Sequence, residues 1–364
     1  MIFKINSENI NSLKNKGLQQ DAEKYVAQYE KFKDFIRAKG IEISNIDYKE
    51  QEDILINKLQ EKGARVCHNG KSIYYNQISP SCIDCHTGYG SSTYIITLKC
   101  NRDCFFCTNK NQDNYEEGIS KLYDIKAQFK AHLQKYKKMK SVAITGGEPL
   151  IYAKECAEFI REVKKADKSI ETRIYTNGDL VTEEIMANLK SVGLDEIRFG
   201  LKPNSSGQVE EKVLENLKTA TKYIKRTMVE MPFPLGMVQE MKSLMDKLED
   251  IGIYGINILE FLYPFIDSAG YKENNYKVKK QPYDVLYGYT YAGGVPVAKS
   301  SIECMEVMLY AIEKNMKMEL HYCSLENKLT SQLYFDNMSA GKRVKSKNDC
   351  NILSSRLNSH KIYL

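Results

Sequence analysis

The chain has 364 residues, which suits roughly two domains or one barrel with appendages, and at this length about three quarters of the unfolded surface is buried without help from disulfides or metal. Lys+Arg 53 against Asp+Glu 47 leaves +6, too slight an excess to argue for nucleic acid, and 42% hydrophobic with 27% charged residues excludes a largely disordered chain. The start, MIFKINSENINSLKNK, has no long apolar core after its first charges, and the most apolar later stretch, 252–266, is broken by Asn257, Glu260 and Pro264. Neither a signal peptide nor a membrane span is therefore expected, and a cytoplasmic location follows, in which the ten cysteines stay reduced and a cluster of them reads as a metal site before disulfides.

Taken in chain order, residues 1–88 read as a mostly helical appendage, with Tyr25, Val26, Tyr29, Phe32, Phe35 and Ile36 at helical spacing and Gly40 as the stop. From Ser91 short apolar runs alternate with longer helical segments. Strands are predicted at 91–99, 141–145, 172–176, 195–200, 226–231 and 255–261, and crossover helices at 121–138, 155–165, 183–189, 211–224 and 237–248. Strands alternating with amphipathic helices predict βαβ units on a parallel sheet. The expectation is an α/β fold, a partial (β/α)6 TIM-like barrel over 89–265, followed by an irregular α+β extension over 266–364 with a helix near 301–314 and a strand at 318–324. The lysines of 121–140 surround one apolar stripe (Leu122, Ile125, Phe129, Leu133), so they read as a solvated helix face.

The decisive motif is Cys100-Asn-Arg-Asp-Cys104-Phe-Phe-Cys107, directly after the first predicted core strand. Three thiolates on one short loop can hold three irons of a cubane, whereas an iron–sulfur cluster ordinarily takes four cysteines; such spacings also serve zinc. The second motif is Thr145-Gly146-Gly147-Glu148-Pro149, at the exit of the next strand. Paired glycines let a backbone approach a ligand closely, and carbonyls with a carboxylate suit an ammonium; an ordinary strand-exit turn would look the same.

Together the two motifs resemble the radical S-adenosylmethionine (radical SAM) superfamily, over roughly residues 90–265. The resemblance implies a [4Fe–4S] cluster on Cys100, Cys104 and Cys107 whose fourth iron is open to S-adenosylmethionine. It implies Phe106 near the adenine and Gly146, Gly147, Glu148 and Pro149 at the methionine amino group. It also implies Asn177 of a Thr-Asn-Gly strand exit, with Arg198 and Lys202 toward ribose or carboxylate. The implied reaction is oxygen-sensitive: a one-electron reductant such as flavodoxin or ferredoxin reduces the cluster, the sulfonium splits to methionine and a 5′-deoxyadenosyl radical, and that radical takes hydrogen from a substrate. The substrate reads as a peptide or protein side chain or a small metabolite, with activation of a glycyl-radical partner as an alternative. A non-enzymatic zinc or electron-transfer module is the remaining competitor, and it leaves Gly146–Glu148 unexplained.

Other cysteines stand apart from this motif. Cys82-Ile-Asp-Cys85-His86 matches the c-haem attachment pattern, but haem attachment needs export. A second metal site from Cys67, Cys82, Cys85 and His86, for zinc or an auxiliary iron–sulfur cluster, is the expected alternative to buried thiols, with Cys304, Cys323 or Cys350 completing it. Cys156 reads as a core thiol. The C-terminal cysteines do not form the paired patterns of the SPASM extension or of molybdenum-cofactor cyclases. His321, Cys323 and Glu326, on one probable strand-to-loop segment, are the candidate catalytic residues, and Tyr287–Tyr291 a candidate lid.

Overall fold

The computed structural model describes residues 7, 9–87, 90–112, 114–135, 139–204, 206–233, 235–283 and 293–327; the candidate lid at 287–291 and Cys350 lie outside them. The N-terminal segment holds α1 (Lys16–Ala38), α2 (Lys49–Glu61), β1 (Arg65–Cys67), β2 (Ser72–Tyr75) and α3 (Pro80–Thr87). The core follows as β3 (Ser91–Thr97), α4 (Tyr115–Ile119), α5 (Ile125–Lys135), β4 (Ser141–Gly146), α6 (Ala153–Ala166), β5 (Glu171–Thr176), α7 (Glu183–Ser191) and β6 (Glu196–Phe199). It continues with α8 (Glu211–Tyr223), β7 (Arg226–Pro232), α9 (Val238–Ile251) and β8 (Gly255–Leu259). Last come β9 (Leu262–Pro264), α10 (Ala269–Glu273), β10 (Gly294–Pro296), α11 (Ser300–Glu313) and β11 (Glu319–Cys323). Among the described residues no helix is long and apolar enough to cross a membrane.

One nine-stranded sheet runs β1-β2-β11-β8-β7-β6-β5-β4-β3. The six expected strands, β3 to β8, pair in parallel and in chain order, which is the unclosed TIM-like (β/α) barrel. The flanking segments differ from the expectation. β11 adds a seventh parallel strand beside β8, Glu319 opposite Gly255 and Cys323 opposite Leu259. The N-terminal appendage supplies the β1–β2 hairpin that pairs antiparallel with β11. Segments on both sides of the core, 65–75 and 319–323, are thus built into one sheet with it.

The helices form because their apolar residues recur at helical spacing, as in α6, where Cys156, Ala157, Phe159, Ile160 and Val163 are buried. They cover the sheet face that carries Ile144, Ile174, Ile197, Phe199, Val229, Ile256, Leu320 and Tyr322. Side chains alternate along a strand, so Arg173, Glu196, Arg198, Glu230, Asn257 and His321 take the other face, and all but Glu230 are under 7% exposed. There α3 lies over them. Arg198 donates from Nε to Glu196 (2.5 Å), from Nη1 to Glu230, and from Nη2 to Ser79 (3.2 Å) and to Cys82 Sγ (3.1 Å). Asn257 Nδ2 donates to Glu230 at 2.6 Å. A second core joins α1 to the 261–297 region, where Tyr29 donates to the Tyr283 carbonyl (2.8 Å) and Phe32 stacks on Tyr283.

Glu319, at the start of β11, is 2% exposed; one oxygen accepts from the Ser79 amide (2.7 Å) and the other has no protein partner. Burial pushes its carboxyl up to about 8, from an ordinary 4.5. The folded state holds this proton more tightly than the unfolded chain, so its contribution is full below pH 4.5 and is lost as pH rises through 8. Glu319→Gln, which keeps an acceptor for Ser79, is expected to raise stability at pH 9 by roughly 3 kcal/mol and to leave it nearly unchanged at pH 4; urea unfolding at both pH values measures this, and equal effects would contradict it.

Candidate cluster and cofactor site

The site is built at the C-terminal ends of β3, β4 and β5, where loops of α/β barrels carry their chemistry. Cys100 is exposed and Cys104 and Cys107 half-buried on the loop after β3. The Cys107 amide donates to the Cys104 carbonyl (3.1 Å), turning the loop back on itself. Burial pushes the Cys100 and Cys104 thiols up; the Arg102 amide, 3.5 Å from Cys100 Sγ, opposes it for the first and the Lys202 cation for the second. Lys202 Nζ lies 5.2 Å from the centre of the Phe106 ring, and Phe106 packs edge-on against Phe105 and Phe261.

The Gly-Gly-Glu-Pro turn is sewn to the cysteine loop. The Gly147 amide donates to Thr97 O and the Glu148 amide to Lys99 O, both at 2.8 Å. Gly146 sits at φ +142, and a Cβ there would meet Thr97 O at 2.0 Å; a Cβ on Gly147 would meet Lys99 O at 2.1 Å. The glycines thus serve first an approach of backbone to backbone, not of backbone to ligand. Glu148 also differs from expectation. Its side chain is 0% exposed, and it accepts from Leu150 N (3.0 Å), Thr176 Oγ1 (2.8 Å) and Asn177 N (2.6 Å). Burial pushes this carboxyl above its usual range against those three donors. It orients the turn and ties β4 to β5, and the polar atoms the turn has left to offer are backbone carbonyls, of which Gly146 O already accepts from Asn109 Nδ2. Pro149 opens the short helical turn that Glu148 caps.

A brace not foreseen from the motifs holds the other side. Asn177 Nδ2 reaches Asn101 Oδ1 (2.7 Å) and Cys100 Sγ (3.8 Å), and Asp179 accepts from Asn101 Nδ2 (2.7 Å). Arg102 binds Asp179 with two nitrogens at 2.6 and 2.5 Å, and the guanidinium keeps the Asp179 carboxyl below its ordinary value. The signal was present in the sequence as an arginine between the first two cysteines of the triplet and an aspartate just past Thr-Asn-Gly, but pairing them requires knowing that β3 and β5 end together.

The remaining expected residues separate. Arg198 is 1% exposed and committed to Glu196 and Glu230, so it braces the interior and does not face a ligand at the barrel mouth. Cys82 is drawn toward Arg198 and Asn257 and its thiol pushed up to about 11 by burial. Cys67 lies on β1, Cys156 and Cys304 are buried in helices, and Glu326 pairs with Lys71. His86, His321 and Cys323 come together, each with a ligand atom within 4.8 Å of the others. Burial lowers His86 to about 4 and His321 to about 3, so both rings are neutral at pH 7.

Residues 94–248 match the family model of the radical SAM superfamily. A Methanocaldococcus jannaschii protein named as a candidate glycyl-radical enzyme activating enzyme is 28% identical over 194 residues, 51% of this chain and 52% of that one. A protein of the same organism, provisionally named a GTP 3′,8-cyclase, is 29% identical over 49% of this chain and 61% of its own. The matches therefore span between half and two thirds of these relatives' length. Streptococcus suis SuiB bound to S-adenosylmethionine aligns over 65% of this chain and 50% of that one, at 15% identity and a TM-score of 0.43. The matched residues 94–248 are similar to the radical SAM superfamily, and they are the part of the chain that carries both motifs. The three thiols on one turned-back loop beside a row of turn carbonyls fit the [4Fe–4S] cluster and S-adenosylmethionine that the matched superfamily uses.

Gly147→Ala would drive a methyl group into the Lys99 carbonyl, a strain of about 1–3 kcal/mol placed on the seam that positions Cys100. Iron bound per chain after anaerobic reconstitution is expected to fall several-fold with an unchanged far-ultraviolet circular dichroism spectrum. Full iron occupancy in this variant would contradict the seam's role.

Proposed function

We propose that the protein is a radical SAM enzyme that cleaves S-adenosylmethionine reductively and abstracts hydrogen from a peptide, protein or small-molecule substrate. The single observation that carries the reading is the joining of the two motifs: the loop of Cys100, Cys104 and Cys107 is hydrogen-bonded through Thr97 and Lys99 to Gly147 and Glu148. When bound, the cluster and S-adenosylmethionine supply one-electron cleavage of a carbon–sulfur bond and a carbon radical able to take hydrogen.

The chain's own residues hold, orient and shield. The three thiols are the cluster ligands. The carbonyl of Gly147, with the second lone pair of the Gly146 carbonyl that already accepts from Asn109 Nδ2, receives the ammonium. Lys202 offers a cation beside Phe106 for a carboxylate or ribose oxygen, and Phe105, Phe106, Phe261 and Tyr271 form an aromatic wall that keeps water from the reacting face. The interior below is filled by α3 and the Arg198 network, so substrate enters from the loop side. A reductant such as flavodoxin or ferredoxin and a cytoplasmic setting belong to the same reading. A second reading, generation of a glycyl radical on a partner enzyme, is favoured by the similarity to the candidate activating enzyme.

With reconstituted protein, dithionite and S-adenosylmethionine under anaerobic conditions, 5′-deoxyadenosine is expected to accumulate in the wild type and to drop to background in Cys104→Ala. Lys202→Met should raise KM for S-adenosylmethionine about tenfold, the loss of one charge-assisted contact. Absence of 5′-deoxyadenosine from protein with a full iron complement would overturn the proposal.

A further inference from the structure

We propose that His86, His321 and Cys323 form a second metal site, separate from the three-cysteine loop, that takes a zinc-class divalent transition metal. Their ligand atoms lie within 4.8 Å of one another, a spacing compatible with one ion, since ligands about 2.0–2.3 Å from zinc sit roughly 3.3–3.8 Å apart. They come from places far apart in the chain, α3 and β11. The register brings them together: Cys323 lies opposite Ser72, and His321 opposite both Tyr74 on β2 and Asn257 on β8.

The surroundings are those of an oriented ligand set. His321 Nδ1 lies 3.0 Å from Asn257 Oδ1, which fixes the ring and turns Nε2 inward. That Nε2 is 3.0 Å from the Ser72 hydroxyl, and His86 Nε2 is 3.3 Å from the same oxygen, so two imidazole nitrogens converge on one point. Asn327 Nδ2 donates to Cys323 Sγ at 3.3 Å, which fixes the direction of that side chain. Its Oδ1 lies 2.6 Å from His68 Nδ1, and the His68 ring packs edge-on against His86.

Two imidazoles and one thiolate, with no carboxylate among them, select zinc and its neighbours over magnesium or calcium. Cys85, next to His86 on α3, is a further sulfur donor; Cys82 is not, because Arg198 and Asn257 hold its sulfur. A metal here would pin α3 and β11 together over the polar face of the sheet, and binding would release the Cys323 proton.

The test uses the full chain with Cys100, Cys104 and Cys107 all changed to alanine, so that the first site cannot contribute. Loaded with zinc and desalted, it is expected to retain about one zinc per chain; adding His86→Ala and Cys323→Ser should remove nearly all of it. Cobalt(II) in place of zinc should give a sulfur-to-cobalt charge-transfer band that Cys323→Ser alone abolishes. Should the triple variant not fold, the same measurement on the iron-loaded wild type is expected to find one zinc beside the cluster, lost on His86→Ala with Cys323→Ser while the iron stays. No retained zinc and no cobalt spectrum in folded protein, or zinc that survives both substitutions, would overturn the site. Neither result depends on cleavage of S-adenosylmethionine.

Discussion

The carboxylate of Glu148 is the joint on which the site depends. Its oxygens accept from Leu150, Thr176 and Asn177, while its own amide donates to Lys99. One buried residue thereby registers the ends of three neighbouring strands, β3, β4 and β5. The cost of burying this group is offset by three donors it cannot exchange for water. Because Thr97 and Lys99 lead into the cysteine loop, any movement of that loop relative to the turn must break the bonds that the Gly147 and Glu148 amides donate to their carbonyls. Arg102 and Asp179 repeat the logic on the outer side, where a bidentate pair holds the loop against the Thr-Asn-Gly turn.

Beneath the joint, the sheet face opposite the helices is polar yet dry. Arg198, Glu196, Glu230 and Asn257 satisfy one another, with Ser79 and Cys82 of the α3 region closing the network. In an unclosed barrel this face would otherwise be open to water. Covering it with α3 leaves the opposite end, with Cys100–Cys107, Lys202 and the aromatic residues near Phe261, as the side on which the two motifs lie. The N-terminal segment is thus a structural part of the barrel: β2 extends its sheet beside β11, and Ser79 and Cys82 close the polar face.

The core strands and crossover helices were legible because each is a local pattern: Ile174 and Ile197 sit in short apolar runs, and Cys156 to Val163 recur at helical spacing. The cysteine triplet and the Gly-Gly-Glu-Pro turn were legible for the same reason, being contiguous. What was hidden is non-local. The β1 and β2 strands are three and four residues long and acquire their state from pairing with β11, more than two hundred residues later. Arg198 looked like a contact to ribose or carboxylate, or else a strand-end charge facing water; only the neighbours Glu196 and Glu230, on its own strand and the next, make it an interior brace. Glu148 carried the expected identity but a different task, because a motif names a residue type and not the direction in which its side chain points. The gathering of His86 with His321 and Cys323, in place of the expected Cys67 and Cys82, again follows from register across β2 and β11.

The most direct test is electron paramagnetic resonance of the reduced, reconstituted protein, with and without S-adenosylmethionine, in the wild type and in Glu148→Gln. The glutamine keeps the shape but turns a donor toward the donors of Leu150 or Asn177. If Glu148 aligns the turn with the loop, the wild-type cluster signal changes on addition of S-adenosylmethionine, and the variant, at equal iron content, shows little change. An equal response in both proteins, or none in the wild type, would contradict the account.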